Sequence, residues 1–153
     1  MEYESLCEQI QSFAEAEPHY VPLLANAAAL LYDALPDLNW AGFYLMRGNR
    51  LVLGPFCGKV ACIHIALGKG VCGTAASQNQ TLVVSDVHAF PGHIACDSAS
   101  NSEIVVPIRQ GGKVIGVLDI DSPIYARFSD EDRTGLESFV GILEQTADFG
   151  ELR

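Results

Sequence analysis

Ile104-Val105-Val106-Pro107-Ile108, Gln110-Gly111-Gly112-Lys113 and Val114-Ile115-Gly116-Val117-Leu118-Asp119-Ile120-Asp121 follow one another along the chain. Two β-rich apolar runs joined by a Gly-Gly turn read as a hairpin. A second hairpin lies upstream: Asn39 to Met46 as a strand, Arg47-Gly48-Asn49-Arg50 as the turn, and Leu51 to Phe56 as the partner. Gly54 to Ala61 reads as a loop, Ile63 to Leu67 and Thr81 to Val84 as short strands, and Gly70 to Gln78 as a short helix of small residues. Hairpins dominate, so the sheet is expected to be mainly antiparallel. Helical spacing at the ends predicts helices over 3–16 (Tyr3, Leu6, Cys7, Ile10, Phe13, Ala14) and 20–35, with Pro18 and Pro36 after them. Ser129 and Asp132 form a capping box with Asp in place of Glu, opening a last helix with Leu136, Phe139, Val140 and Leu143. The expected fold is therefore α+β: N- and C-terminal helices packed on one side of the sheet, and a loop-covered pocket on the other.

The totals narrow the function. At 153 residues, 49% of them apolar, the chain reads as one globular domain with a sizeable core. Its net charge of −10 opposes phosphate backbones and anionic lipid, so neither nucleic acid nor a membrane surface is an expected partner. The start, Met1-Glu2-Tyr3-Glu4, lacks the basic and apolar regions of a signal peptide, which points to the cytoplasm. Five cysteines in that compartment read as thiols, metal ligands or redox groups rather than structural staples.

The chemistry concentrates before the C-terminal hairpin. Gly92-His93-Ile94-Ala95-Cys96-Asp97-Ser98-Ala99-Ser100-Asn101-Ser102-Glu103 is too small and polar for a buried strand. It reads as the end of a long loop, Ser85 to Ser102, that presents a reactive thiol, Cys96, to a pocket. Asp119 and Asp121 are two apart, so they share a strand face. They act as a cation site, or one holds the other protonated, or the strand ends at Asp119 and both are solvated. Pairing Gln110 with Lys113 sets Glu103 opposite Ile120, on the wrong face to join them. Joining them requires a bulge, which Pro107 favours, or a Glu103 still in the loop. On the first strand Trp40 and Tyr44 share a face, as core or as the apolar wall of a substrate site, while Phe43 points the other way.

Three other patterns carry less. Gly68-Lys69-Gly70-Val71-Cys72-Gly73 matches a dinucleotide fingerprint, but repeated βαβ units are missing, so it reads as a tight strand-to-helix turn whose N–H groups suit a small anion. Cys62, His64, Cys72, His88, His93 and Cys96 lack metal-site spacing, and no metal is expected. Cys7 reads as core, and the role of Cys57 stays open.

Taken together, Asn39-Trp40-Ala41-Gly42-Phe43-Tyr44, Leu53-Gly54-Pro55-Phe56, Ala61-Cys62, Gly70-Val71-Cys72-Gly73-Thr74-Ala75, Gly92-His93-Ile94-Ala95-Cys96-Asp97, Ser100-Asn101-Ser102-Glu103-Ile104-Val105 and Gly116-Val117-Leu118-Asp119-Ile120-Asp121-Ser122 resemble the free methionine-(R)-sulfoxide reductases, which are single GAF-domain enzymes. The resemblance covers nearly the whole chain and implies one GAF domain over 1–153. A generic GAF module would share the strands but not cysteines at 62, 72 and 96; Cys57 departs from the family pattern. By resemblance Cys96 is the attacking thiol and Cys62 its main resolving partner, with Cys72 able to act in exchange. Glu103, Asp119 and Asp121 are the acids around the substrate, and Trp40 and Tyr44 its apolar wall. The implied reaction reduces free methionine-(R)-sulfoxide through a Cys96 sulfenic acid and an intramolecular disulfide. It needs no bound cofactor, only thioredoxin as external reductant, and a homodimer is expected. His93 is a candidate for lowering the Cys96 pKa, and Asp97 would oppose it. The competing classes are a non-catalytic GAF sensor, which binds without turnover, and a zinc hydrolase, which requires stoichiometric metal.

Overall fold

The computed structural model describes residues 2–93 and 98–152. Cys96 and Asp97 therefore lie outside the described residues. Two helices open the chain, α1 (Glu2–Ala16) and α2 (Tyr20–Ala34). They are followed by β1 (Trp40–Arg47), β2 (Arg50–Gly58), β3 (His64–Ala66), α3 (Gly70–Gln78), β4 (Leu82–Val84), β5 (Ser102–Gln110), β6 (Lys113–Ser122) and α4 (Asp130–Thr146). All strand pairs are antiparallel, in the order β3-β2-β1-β6-β5-β4. The strands flanking α3, β3 and β4, sit at opposite edges of the sheet. That arrangement excludes a parallel βαβ unit and with it the dinucleotide reading of Gly68 to Gly73.

Strand parity divides the core in two. Phe43, Leu45, Ile104, Val106, Leu118 and Ile120 face α1, α2 and α4. Trp40, Tyr44, Val105 and Val117 face the other way, against Val71, Cys72 and Ala75 of α3. The three terminal helices thus share one side of the sheet, as the sequence predicts. Their boundaries follow the local signals: α2 stops before Pro36, and α4 opens on Ser129, whose hydroxyl accepts from the Asp132 N–H while the Asp132 carboxylate accepts from the Ser129 N–H. Tyr3 Oη donates to the same carboxylate at 2.6 Å and ties α1 to α4. Burial and that neighbouring carboxylate push the Tyr3 hydroxyl far above its usual value. Phe13 departs from expectation, remaining more than a third exposed on α1.

Gly54 to Gly58 is strand, not the loop that its Gly and Pro suggested. The reason is local pairing. β3 covers only Arg50 to Val52 of β2, so Pro55 sits where no outer strand needs its missing N–H. The register against β1 shifts between Gly42 and Tyr44, which absorbs the irregularity. Gly42 is required there. A Cβ at that position would lie 2.3 Å from Phe56 Cβ and 2.8 Å from the Trp40 ring. Gly42→Ala is expected to cost about 1–3 kcal/mol through overpacking. Thermal melting checks this: the midpoint should fall by several degrees, and an unchanged midpoint would contradict the packing assignment.

Candidate functional site

The site rests on a second register shift. Gln110 pairs with Lys113 and Arg109 with Val114, but Ile108 pairs with Gly116. Ile115 is the extra residue, two positions before Val117, the partner of Pro107. Beyond this bulge Glu103 lies opposite Asp121 rather than Ile120, and Val105 opposite Asp119. Glu103, Asp119 and Asp121 therefore share the face that carries Trp40 and Tyr44, since Trp40 pairs with Asp121. β6 continues to Ser122, and Asp119 is only 6% exposed, so the reading in which both aspartates are solvated beyond the strand end fails.

α3 closes the other side. Its first turn packs tightly on the end of β3, where a Cβ on Gly73 would lie 2.4 Å from the Ala66 carbonyl oxygen. This approach leaves Lys69, Gly70, Val71 and Cys72 along one side of a cleft that is partly open to solvent. Trp40, Tyr44, Ile65, His93, Ser100 and the three acids line the same cleft. Lys69 caps α3 without a side-chain hydrogen bond to the helix. The Gly70, Val71 and Cys72 N–H groups lie in the first turn, where no intrahelical acceptor exists.

The wall is aromatic. Trp40 stacks on Phe56 at 5.2 Å and on Tyr44 at 5.9 Å between ring centroids. Trp40 Nε1 donates to the Lys59 carbonyl at 3.1 Å, and Tyr44 Oη donates to the Cys62 carbonyl at 2.9 Å. Both bonds fix the backbone around Cys62. Burial and the nearby acids push the Tyr44 hydroxyl far up, so it remains a donor.

The acids form a coupled set. Burial, then the charges of Asp119 and Asp121, push the Glu103 carboxyl well above its ordinary range. Burial also raises Asp119, but hydrogen bonding from Glu103 and Cys72 works against that rise. Glu103 is therefore the carboxyl pushed toward its acid form, and Asp119 accepts a hydrogen bond from it. One oxygen of Asp119, Oδ1, is buried without a hydrogen-bond partner. A buried carboxylate oxygen without a donor is costly, which suits it to a cationic ligand. The Cys72 thiol donates to Glu103 Oε2 at 3.9 Å, and its Sγ lies within 4.8 Å of the Glu103 and Asp119 oxygens. That spacing admits an ammonium group or a small cation. Burial and then the adjacent carboxylates push the Cys72 thiol well up, which opposes a thiolate there.

Cys62 is disulfide-bonded, whereas Cys7, Cys57 and Cys72 are free thiols. Cys57 packs on the helix side of the sheet, away from the cleft. His93 lines the cleft; burial, then the charge of His88, lowers its pKa. The structure thus brings together Trp40, Tyr44, Cys72, Glu103, Asp119 and Asp121 and ties the Cys62 backbone to them through Tyr44. Sequence reasoning missed Phe56, Ser100 and the hydroxyl link from Tyr44 to Cys62. The first two carried no pattern signal, and the link needs the fold of the intervening hairpin.

The sheet and its helices are those of a GAF domain, and residues 23–146 match the GAF-domain family model. The free methionine-R-sulfoxide reductase of Escherichia coli is 52% identical over 143 residues, covering 94% of this chain and 87% of that protein. The Staphylococcus aureus fRMsr, solved in complex with substrate, is 54% identical with a TM-score of 0.90 and 95% coverage of each chain. The Neisseria meningitidis free methionine-R-sulfoxide reductase, solved in complex with its substrate, is 46% identical with a TM-score of 0.91, covering 94% of this chain and 87% of that one. This chain belongs to that family: the free methionine-R-sulfoxide reductases of the GAF-domain class.

Proposed function

We propose that this protein reduces free L-methionine-(R)-sulfoxide to L-methionine with its own cysteine thiols. The observation that carries the reading is the buried acid set beneath the aromatic wall, in which the Glu103 carboxyl is pushed well above its ordinary range and Asp119 Oδ1 lacks a donor. A sulfoxide oxygen must gain protons to leave sulfur, and a carboxylic acid neutral near pH 7 supplies them. An ionised aspartate answers the substrate ammonium. The first-turn N–H groups of α3 answer its carboxylate, and Trp40 faces its methyl group.

In the proposed cycle the Cys96 thiolate attacks the sulfoxide sulfur while Glu103 protonates the oxygen. The oxygen passes to the Cys96 sulfur as its bond to the methionine sulfur breaks, so methionine departs and Cys96 is left as a sulfenic acid. The Cys62 thiol then condenses with it, forming the S–S bond and releasing water. A disulfide bond at Cys62 supports its part as the resolving thiol. Cys72 acts in exchange only when its buried thiol loses its proton, so its main part is to hydrogen-bond the acids. A thioredoxin-class dithiol returns two electrons and two protons. The chain carries no bound cofactor in this scheme. It works as a cytoplasmic homodimer, a state supported by the exposed Phe13, Val21 and Tyr32 on α1 and α2. No helix among the described residues is long and apolar enough to cross a membrane.

Selectivity tests the reading. A peptide bond removes both substrate charges and leaves the buried groups unpaired, at about 2–5 kcal/mol per lost contact. Methionine release, with dithiothreitol as reductant and no metal added, should occur with the free R-epimer and fail with the S-epimer and with peptide-bound sulfoxide. Equal turnover of free and peptide-bound forms would contradict it.

A further inference from the structure

Charge is divided unevenly along the chain. Residues 38–85 carry Arg47, Arg50, Lys59 and Lys69 and no acid, whereas the remaining residues hold all 19 Asp and Glu against five Lys and Arg. That segment is β1 through β4 with α3, and it ends laterally in β3, an edge strand paired only with β2. At this edge stand Val60, 86% exposed, and Ile63, 62% exposed, the two most exposed large apolar side chains among the described residues. Leu67 is exposed beside them, as are Lys59, His64 and Lys69. Between Val60 and Ile63 sits Cys62, half-buried and disulfide-bonded.

Exposed apolar residues rimmed by charge of one sign mark an interaction surface. Here the exposed residues flank a disulfide-bonded cysteine in the chain, which suits a partner that brings a thiol. We propose that the edge formed by Lys59, Val60, Ile63, His64 and Leu67 is the docking face for the protein dithiol that recycles the enzyme. That partner presents an apolar patch around its cysteines within an acidic rim, complementary to this basic edge of an otherwise acidic molecule. The proposal rests on the cysteine cycle above. Docking aims the partner thiolate at the Cys62 sulfur. A mixed disulfide forms there, the S–S bond to Cys96 breaks, and the Cys96 sulfur leaves as a thiolate. The second partner thiol then attacks the mixed disulfide and frees Cys62. The partner ends oxidised by two electrons and both enzyme thiols are restored. The Tyr44 hydroxyl bond to the Cys62 carbonyl holds the target sulfur in place during the exchange.

The test compares a small reductant with a protein one. Ile63 lies outside the cleft lining, so Ile63→Asp should leave turnover with dithiothreitol unchanged. With thioredoxin, its reductase and NADPH, the same variant should lose about tenfold or more in kcat/KM for thioredoxin, the size of a hot-spot loss. Lys59→Glu should lose several-fold and flatten the salt dependence of that kcat/KM, because it removes steering charge. Unchanged thioredoxin kinetics in Ile63→Asp would overturn the proposal. So would an equal loss with both reductants, which assigns Ile63 a structural role. A change in solution mass of the variant with thioredoxin kinetics intact would assign the face to a second copy of the chain. Failure of the cycle itself looks different: the wild-type protein would then release no methionine with either reductant.

Discussion

Cys96→Ser should release no methionine at all, while Cys62→Ser should release about one per chain and then stall. In the proposed cycle the two cysteines differ in task. The first methionine requires only a thiolate that reaches the sulfoxide sulfur and an acid that protonates its oxygen. A resolving thiol acts after methionine has gone, so its loss spares the burst and blocks recycling. Cys72→Ser tests the third position. Its buried thiol is held protonated by burial and by the carboxylates around it, so a serine there should keep the burst. The measurement is a chemical quench of reduced enzyme with no recycling reductant, counting methionine. A burst that survives in Cys96→Ser, or that vanishes in Cys62→Ser, would reverse the roles of the two thiols.

Glu103→Gln should lower the first-turnover rate by about 10²-fold or more, the usual weight of a positioned general acid. The amide keeps the shape and loses the proton. Sign matters for the pH profile. Burial and the two aspartates raise the Glu103 carboxyl, so its acid form is lost only as pH rises through that raised value. The wild-type burst rate should therefore fall on the alkaline side, and the glutamine variant should lack that limb. Stability carries the same signature. The unfolded chain ionises Glu103 near its ordinary value of 4.5 while the folded chain keeps it protonated, so the folded state loses stability as pH climbs from there toward the folded value. Glu103→Gln removes this slope, and its melting midpoint relative to wild type should rise with pH. A single-turnover rate equal to wild type in this variant would remove Glu103 from the reaction.

Much of the architecture follows from periodicity. Alternation in β1 separates Phe43 from Trp40 and Tyr44, and the structure keeps that division between its two cores. The C-terminal hairpin is readable from its turn, and its register arithmetic shows that the acids meet only through a bulge. Where the bulge falls is not readable, because Ile108, Arg109, Val114 and Ile115 satisfy either pairing by hydrophobicity alone. Pro55 hides the end of β2 for a different reason: a proline forbids an inner strand position, and only the short reach of β3 turns that position into an outer one. The cleft rim is legible in Gly68 to Gly73 as a tight turn. The placement of Cys72 beside Glu103 depends on α3 crossing from one sheet edge toward the other, which no local pattern encodes. Cys96, the residue on which the sequence reading is centred, lies outside the described residues, so its part rests on the family and on the thiol experiments.

The most direct test of the whole account counts two quantities in one tube. Reduced wild-type protein is mixed with excess free methionine-(R)-sulfoxide, without dithiol or metal, and both methionine and remaining thiols are measured after denaturing quench. About one methionine per chain and the loss of two thiols are expected, with peptide mapping joining Cys62 to Cys96. Methionine formed with all five thiols still titrating, or bound sulfoxide with no methionine formed, would contradict it.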